Sequence, residues 1–225
     1  IMNKRHVCRL LLITALGFGA IPAHEAWGSQ PIVQTYFTAD PAPLVHDGVV
    51  YLYTGHDEDD APPGQSRFLM REWLCFTSTD MVNWTDRGPV ASLKDFTWAQ
   101  SSWGGWDNGA WAAHMIERNG KFYLYCPVQG SGIGVLVADN PFGPFHDPLG
   151  KPLIGPQYDS IDPAVFIDDD GQAYLYWGNP NLWYVKLNED MISLAGEITK
   201  DPQFAKVQGQ PDPYRFQEGP WVFKR

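Results

Sequence analysis

Residues 160–178 read SIDPAVFIDDDGQAYLYWG, and this stretch decides the fold. Asp162 leads a short apolar run over residues 163–167, residues 168–171 are turn formers, and residues 172–177 return as an aromatic run. Two β-forming runs around Asp-Asp-Asp-Gly predict a tight antiparallel hairpin. Residues 38–55 repeat the pattern, with Asp40-Pro41-Ala42, a turn at Asp47-Gly48, and Tyr51-Leu52-Tyr53 running to Gly55. A third copy lies between them, because Gly-x-x-Tyr-Leu-Tyr occurs at Gly48, Gly120 and Gly171, and the copy at Gly120 follows Trp111-Ala112-Ala113-His114. A fourth begins at Gln217-Glu218-Gly219-Pro220-Trp221, where Glu218 takes the place of the leading aspartate.

Hairpins recurring at intervals of about 50–70 residues suit the blades of a β-propeller, each blade a small antiparallel sheet whose innermost strand lines a central channel. The first residues of those inner strands then meet at one mouth of the channel. Asp40, Asp162 and Glu218 are thereby expected to face one opening, although they are far apart in the chain. An inverting glycosidase needs one carboxylic acid to protonate the leaving oxygen and one carboxylate to activate water, roughly 6.5–9.5 Å apart. A third carboxylate beside them disfavours ionisation of the acid and orients it. The longer arm of Glu218 suits the acid, Asp40 the base, and Asp162 the tuning group.

Composition agrees with a single, mainly β domain. The 225 residues are 44% hydrophobic and 14% aromatic, and Gly and Pro punctuate short aromatic strands, with little helical periodicity. Lys4, Arg5 and Arg9 precede an apolar run over residues 10–20 and then small residues, the order of a secretory signal peptide, with cleavage expected near Ala23 or Gly28. That run is short of the ~20 residues a membrane span needs. The expected organisation is a leader over residues 1–28 and one domain over residues 29–225, exported to the cell exterior or periplasm. Losing Lys4, Arg5, Arg9 and Glu25 with the leader changes 16 basic and 26 acidic residues to 13 and 25. Such an acidic protein repels nucleic acid and anionic lipid and is indifferent to neutral polysaccharide. No nucleic-acid or membrane partner is expected, and a monomer is. Cys75 and Cys126 are too few for a disulfide framework and are read as two buried thiols, with a single bridge in an oxidising compartment as the alternative.

Three further residues are candidates for sugar contact. Trp111 opens the inner strand of the second copy, near a Trp- and Gly-rich linker that includes Trp103-Gly104-Gly105-Trp106, and an indole stacks well on the apolar C–H face of a sugar. Asn179, in the loop after the third hairpin, suits a hydrogen bond to a sugar hydroxyl. His56, at the end of the first hairpin, is the member of an acidic loop nearest the mouth; that loop matches no standard calcium-binding spacing. Trp84, in Asp80-Met81-Val82-Asn83-Trp84, is expected to fill space between sheets.

Taken together, these motifs resemble glycoside hydrolase family 43, close to its arabinofuranosidase, arabinoxylan arabinofuranohydrolase and β-xylosidase members. The likeness rests on Thr38-Ala39-Asp40-Pro41-Ala42-Pro43, Thr54-Gly55-His56-Asp57-Glu58, Ser78-Thr79-Asp80-Met81-Val82-Asn83-Trp84, Trp111-Ala112-Ala113-His114, Ser160-Ile161-Asp162-Pro163-Ala164 and Glu218-Gly219-Pro220-Trp221. It implies a five-bladed propeller, of which this chain would hold about three blades and the start of the fourth. It also implies an inverting mechanism with Asp40 as base, Asp162 as modulator and Glu218 as acid, acting on plant cell-wall polysaccharide. No cofactor is required by that mechanism; a structural calcium occurs in some members, and its ligands are not assignable from this sequence. An endo-arabinanase and a non-catalytic carbohydrate-binding propeller are the alternatives.

Overall fold

In the computed structural model, which describes residues 31–60, 68–99, 107–202 and 216–225, the first three copies of the motif each become the inner hairpin of an antiparallel sheet, whereas the expected fourth copy at Gln217–Trp221 forms no strand. The first sheet runs β1 (Phe37–His46), β2 (Val49–Asp57), β3 (Glu72–Ser78) and β4 (Thr85–Ser92) in order. The second is β5 (His114–Arg118), β6 (Lys121–Val128) and β7 (Gly132–Ala138), with β7 bridged further to Ile154 and His146. The third is β8 (Ala164–Ile167), β9 (Ala173–Trp177), β10 (Trp183–Leu187) and the short β11 (Thr199–Lys200). The chain is all-β in this sense; the helical turns among the described residues are two 3₁₀ turns, Leu93–Asp95 and Pro156–Tyr158. Residues Ile32–Arg225 form one compact unit. The expected leader, residues 61–67 of the acidic loop and the Trp103–Trp106 linker motif lie outside the described residues.

The inner strands β1, β5 and β8 are neighbours in that order, and the sheets pack face to face. On β6 the side chains alternate between two cores: Phe122, Leu124 and Cys126 join Tyr53, Trp73, Cys75 and Phe96 of the first sheet's side, while Tyr123 and Tyr125 join Val165, Leu175, Trp177 and Val185 of the third. A strand covered on both faces is apolar throughout, which is why Phe-Tyr-Leu-Tyr-Cys has no polar alternation. Cys75 and Cys126 are free, buried thiols, and burial pushes Cys75 up to about 12 and Cys126 well above the ordinary thiol range.

Two tyrosines stitch successive sheets together. Tyr53 Oη donates to the Pro141 carbonyl in the outer turns of the second sheet at 2.9 Å, and Tyr125, its counterpart one repeat on, donates to the Met191 carbonyl in the third at 2.6 Å. The Trp84 expectation is corrected: Trp84 is half-buried, belongs to neither core, and its Nε1 donates to Met81 O at 3.3 Å. The Asp80 carboxylate organises that turn, accepting from the amides of Val82 and Asn83 at 2.9 and 2.7 Å, so the ring caps a solvent-side turn instead of filling a sheet interface.

Candidate active site

The registers fix how the repeats correspond. Ala42 pairs with Tyr53, His114 with Tyr125 and Ala164 with Tyr176, so the residues two places earlier, Asp40, Ala112 and Asp162, occupy equivalent positions at the mouth end of the inner strands. In β1 the register skips between Ala39 and Ala42, leaving Asp40 and Pro41 as an unpaired bulge. Both aspartates have φ of 53°, a left-handed conformation that Asp tolerates better than most residues yet still at a cost of roughly 1 kcal/mol. Glycine would relieve that strain and would remove the carboxylate. Paired strain at two equivalent positions that keep an acid is the mark of a functional constraint.

Neighbouring loops hold the third group. Glu218 lies on the segment 216–225, whose Gly219 amide donates to Asp162 Oδ2 at 3.0 Å and whose Lys224 reaches Asp168 and Asp169 at 3.0 and 2.6 Å. The segment thus follows β8 from its first residues to its hairpin turn. Asn179 Nδ2 donates to Glu218 Oε2 at 2.6 Å. The loop carrying Asn179 is itself pinned to the approach of Asp162: the Gly178 amide donates to Ile161 O at 2.9 Å, and Asp159 Oδ2 accepts from Asn181 Nδ2 and Trp183 Nε1 at 2.9 Å each.

Asp40, Asp162 and Glu218 line one cleft of about 390 Å³, together with Trp111, Asn179 and the exposed ring of Phe68. Adjoining it through Asp40 and Asp162, a cavity of about 180 Å³ is also bounded by His114 and Trp221. Burial, reinforced by Glu218 and then Asp40, pushes the Asp162 carboxyl up to about 7. Asp40 is raised from its ordinary value as well, by burial first and then by Asp57 and Glu218. The buried His114 imidazole is lowered to about 4 because its charged form would be desolvated; it is neutral near pH 7 and lies 5.1 Å from the Trp221 ring.

Five of the six residues expected at the site, Asp40, Asp162, Glu218, Trp111 and Asn179, therefore converge. His56 does not line these cavities. At the end of β2 its Nδ1 faces Glu72 Oε1 at 3.1 Å and Glu58 Oε1 at 3.9 Å, and its ring meets the edge of Tyr36. His56, Glu58 and Glu72 are close enough to hold a cation among them, but Arg71 Nη1 already stands 3.2 Å from Glu58 Oε2. The exposed Asn179 meets an acid of the protein itself, donating to Glu218 Oε2. Sequence reasoning passed over Phe68 and His114; the repeat register would have flagged His114, a histidine where the other copies carry alanine.

Three carboxylates gathered from separate repeats over an aromatic-walled cleft, two of them on strained backbone, are the arrangement of a class of protein, the carboxylate-dependent carbohydrate hydrolases. The chain belongs to glycosyl hydrolases family 43, whose family model matches residues 29–225. It is 36% identical over 214 residues to an arabinoxylan arabinofuranohydrolase of Bacillus subtilis strain 168, an alignment covering 79% of this chain and 41% of that protein. The crystal structure of an α-L-arabinofuranosidase from Clostridium thermocellum ATCC 27405 matches with a TM-score of 0.66 and 38% identity, over 87% of this chain and 63% of that one. A β-xylosidase/α-arabinofuranosidase from a compost microbial metagenome, solved with xylotriose, matches with a TM-score of 0.73 and 29% identity, over 87% and 69%. The chain spans well under half the length of the Bacillus relative.

Proposed function

We propose that this chain is the greater part of the catalytic domain of an exported, inverting glycosidase that removes α-L-arabinofuranosyl, or β-xylosyl, units from arabinoxylan or a related plant cell-wall polysaccharide. The observation that carries the reading is the convergence of Asp40, Asp162 and Glu218 on one cleft, two of them in a strained backbone conformation. Asp40 takes a proton from the attacking water as the C–O bond forms at the anomeric carbon. Glu218 gives its proton to the glycosidic oxygen as that bond breaks. Asp162 feels the charges of both, which help to raise its carboxyl, and by accepting from the Gly219 amide it holds the Glu218 segment in place. The proton count balances with side chains alone, so the chemistry requires no metal or cofactor.

The sheets are proposed to be three blades of a five-bladed propeller. Tyr176 occupies the position of Tyr53 and Tyr125, each bonded to the next sheet's outer turns, and it stacks with Tyr184 on a half-buried face; that face suits a following blade. The basic, apolar and small segments of residues 1–28 support export. Glu218→Gln tests the assignment: hydrolysis of aryl arabinofuranosides and xylosides should collapse while oligosaccharide binding, read by calorimetry, persists. Unchanged hydrolysis would refute the role of Glu218.

A further inference from the structure

Glu218 stands on a segment that no strand pairing fixes, since residues 216–225 form no strand. Its place is set by separate contacts instead. The Gly219 amide donates to Asp162 at 3.0 Å, Lys224 reaches Asp168 and Asp169, and the Trp221 ring lies against His114 with centroids 5.1 Å apart and planes at 54°. The lysine pairs are exposed, and such pairs contribute little once salt screens them. Asn179 holds the tip of the Glu218 side chain, not the backbone that carries it. The contact between Trp221 and His114 therefore bears on where the acid sits. His114 occupies the position that the other two inner strands fill with Ala42 and Ala164, both buried. A methyl group satisfies strand packing there, so the packing does not call for a ring. The imidazole, in a residue 8% exposed, donates to the main-chain carbonyl of Val165 in β8. That bond fastens β5 to the strand Asp162 leads into, and the ring bounds the same cavity as Asp40, Asp162 and Trp221.

Resting on the glycosidase reading above, we infer that His114 is a positioning residue for the proton donor: fastened to β8, its ring is the wall against which Trp221, and through it Glu218, is set. The loss of such a wall has a signature that a general loss of structure lacks. A sugar hydroxyl leaves only if the acid delivers its proton as the C–O bond breaks, whereas a dinitrophenolate is stable enough to leave without one. A displaced acid thus slows the first kind of substrate and spares the second.

Three variants test this. His114→Gln keeps an amide for Val165 and gives up the ring; His114→Phe keeps a ring for Trp221 and gives up the donor; Trp221→Ala removes the other side of the contact at a residue 51% exposed. On an arabinofuranosyl-substituted xylo-oligosaccharide, His114→Gln and Trp221→Ala should each lose about a hundredfold in kcat/KM, the scale of a misplacement of about 1 Å, with the loss in kcat and KM nearly constant. On a dinitrophenyl arabinofuranoside or xyloside both should stay within about threefold of the unaltered protein. His114→Phe should keep oligosaccharide hydrolysis within about fivefold, whatever its thermal midpoint. The two impaired changes combined should cost no more than either alone, because they break one contact. Equal losses on the two substrates, no loss on the oligosaccharide, a His114→Phe as impaired as His114→Gln, or additive losses overturn the positioning role in favour of a structural histidine. Should a His114 variant fail to fold, Trp221→Ala decides alone: a loss selective for the oligosaccharide supports the contact, and a uniform or absent loss overturns it. An unaltered protein that cleaves neither substrate refutes the glycosidase reading itself, a result distinct from the others.

Discussion

Replacing Asp162 by asparagine should stabilise the protein while disabling it, and the size of the effect follows from the site. Asp162 is raised to about 7 by burial and by Glu218 and Asp40, whereas in the unfolded chain it titrates near 4. Between those values the native state binds the proton that the unfolded state has released, so stability declines as pH rises from about 4 to about 7 and then levels off. At 1.36 kcal/mol per pH unit the full span is about 4 kcal/mol; water reaching the open cleft screens part of it, leaving about 2 kcal/mol. Asparagine keeps an oxygen for the Gly219 amide, which donates to Asp162 at 3.0 Å, and carries no charge. Denaturant unfolding of both proteins across this range should therefore show equal stabilities near pH 4 and an advantage of about 2 kcal/mol for Asp162→Asn near pH 8, with hydrolysis lost at both. A pH-independent difference, or a wild type that gains on the variant as pH rises, would refute the buried-carboxylate reasoning.

Asp40 is also raised, so the acidic limb of the kcat/KM profile, set by the base, should lie above the ordinary aspartate value; a limb at or below that value would remove Asp40 from that role. Asn179→Ala takes away the amide held on Glu218 and should lower kcat about tenfold with little change in KM, while displacing the basic limb of the profile; a loss confined to stability would make the asparagine structural. Trp111→Phe keeps a ring on the cleft wall but shortens it, and should raise KM severalfold at nearly constant kcat, read by steady-state kinetics on oligosaccharides. The buried thiols of Cys75 and Cys126 should resist alkylation in the native protein and react on unfolding, as intact mass will show; rapid native labelling would contradict their place in the core.

The hairpins were legible because each turn carries a glycine after aspartate or asparagine and each return strand its aromatic run. Asp40 and Asp162 were legible because repetition set them at equivalent strand starts. Their left-handed backbone was not, since nothing local distinguishes an Asp-Pro that opens a strand from one that bulges out of it. Glu218 stood out through its Gly-Pro-Trp context and the resemblance more than through periodicity, as residues 216–225 form no strand. His56 stands apart from the cleft because proximity in sequence to the mouth says nothing about a cross-strand carboxylate: Glu72, on the adjacent strand, bonds it. Asp159 went unnoticed because it is set by loop packing between repeats, where no periodic signal exists.

The central claim is single displacement by paired carboxylates, and its most direct test is a proton NMR time course of the protein acting on an arabinofuranosyl-substituted xylo-oligosaccharide. The account predicts that β-L-arabinofuranose appears first and the α-anomer grows in only by mutarotation. Release of the α-anomer first would require a covalent intermediate and would contradict the roles given to Asp40 and Glu218.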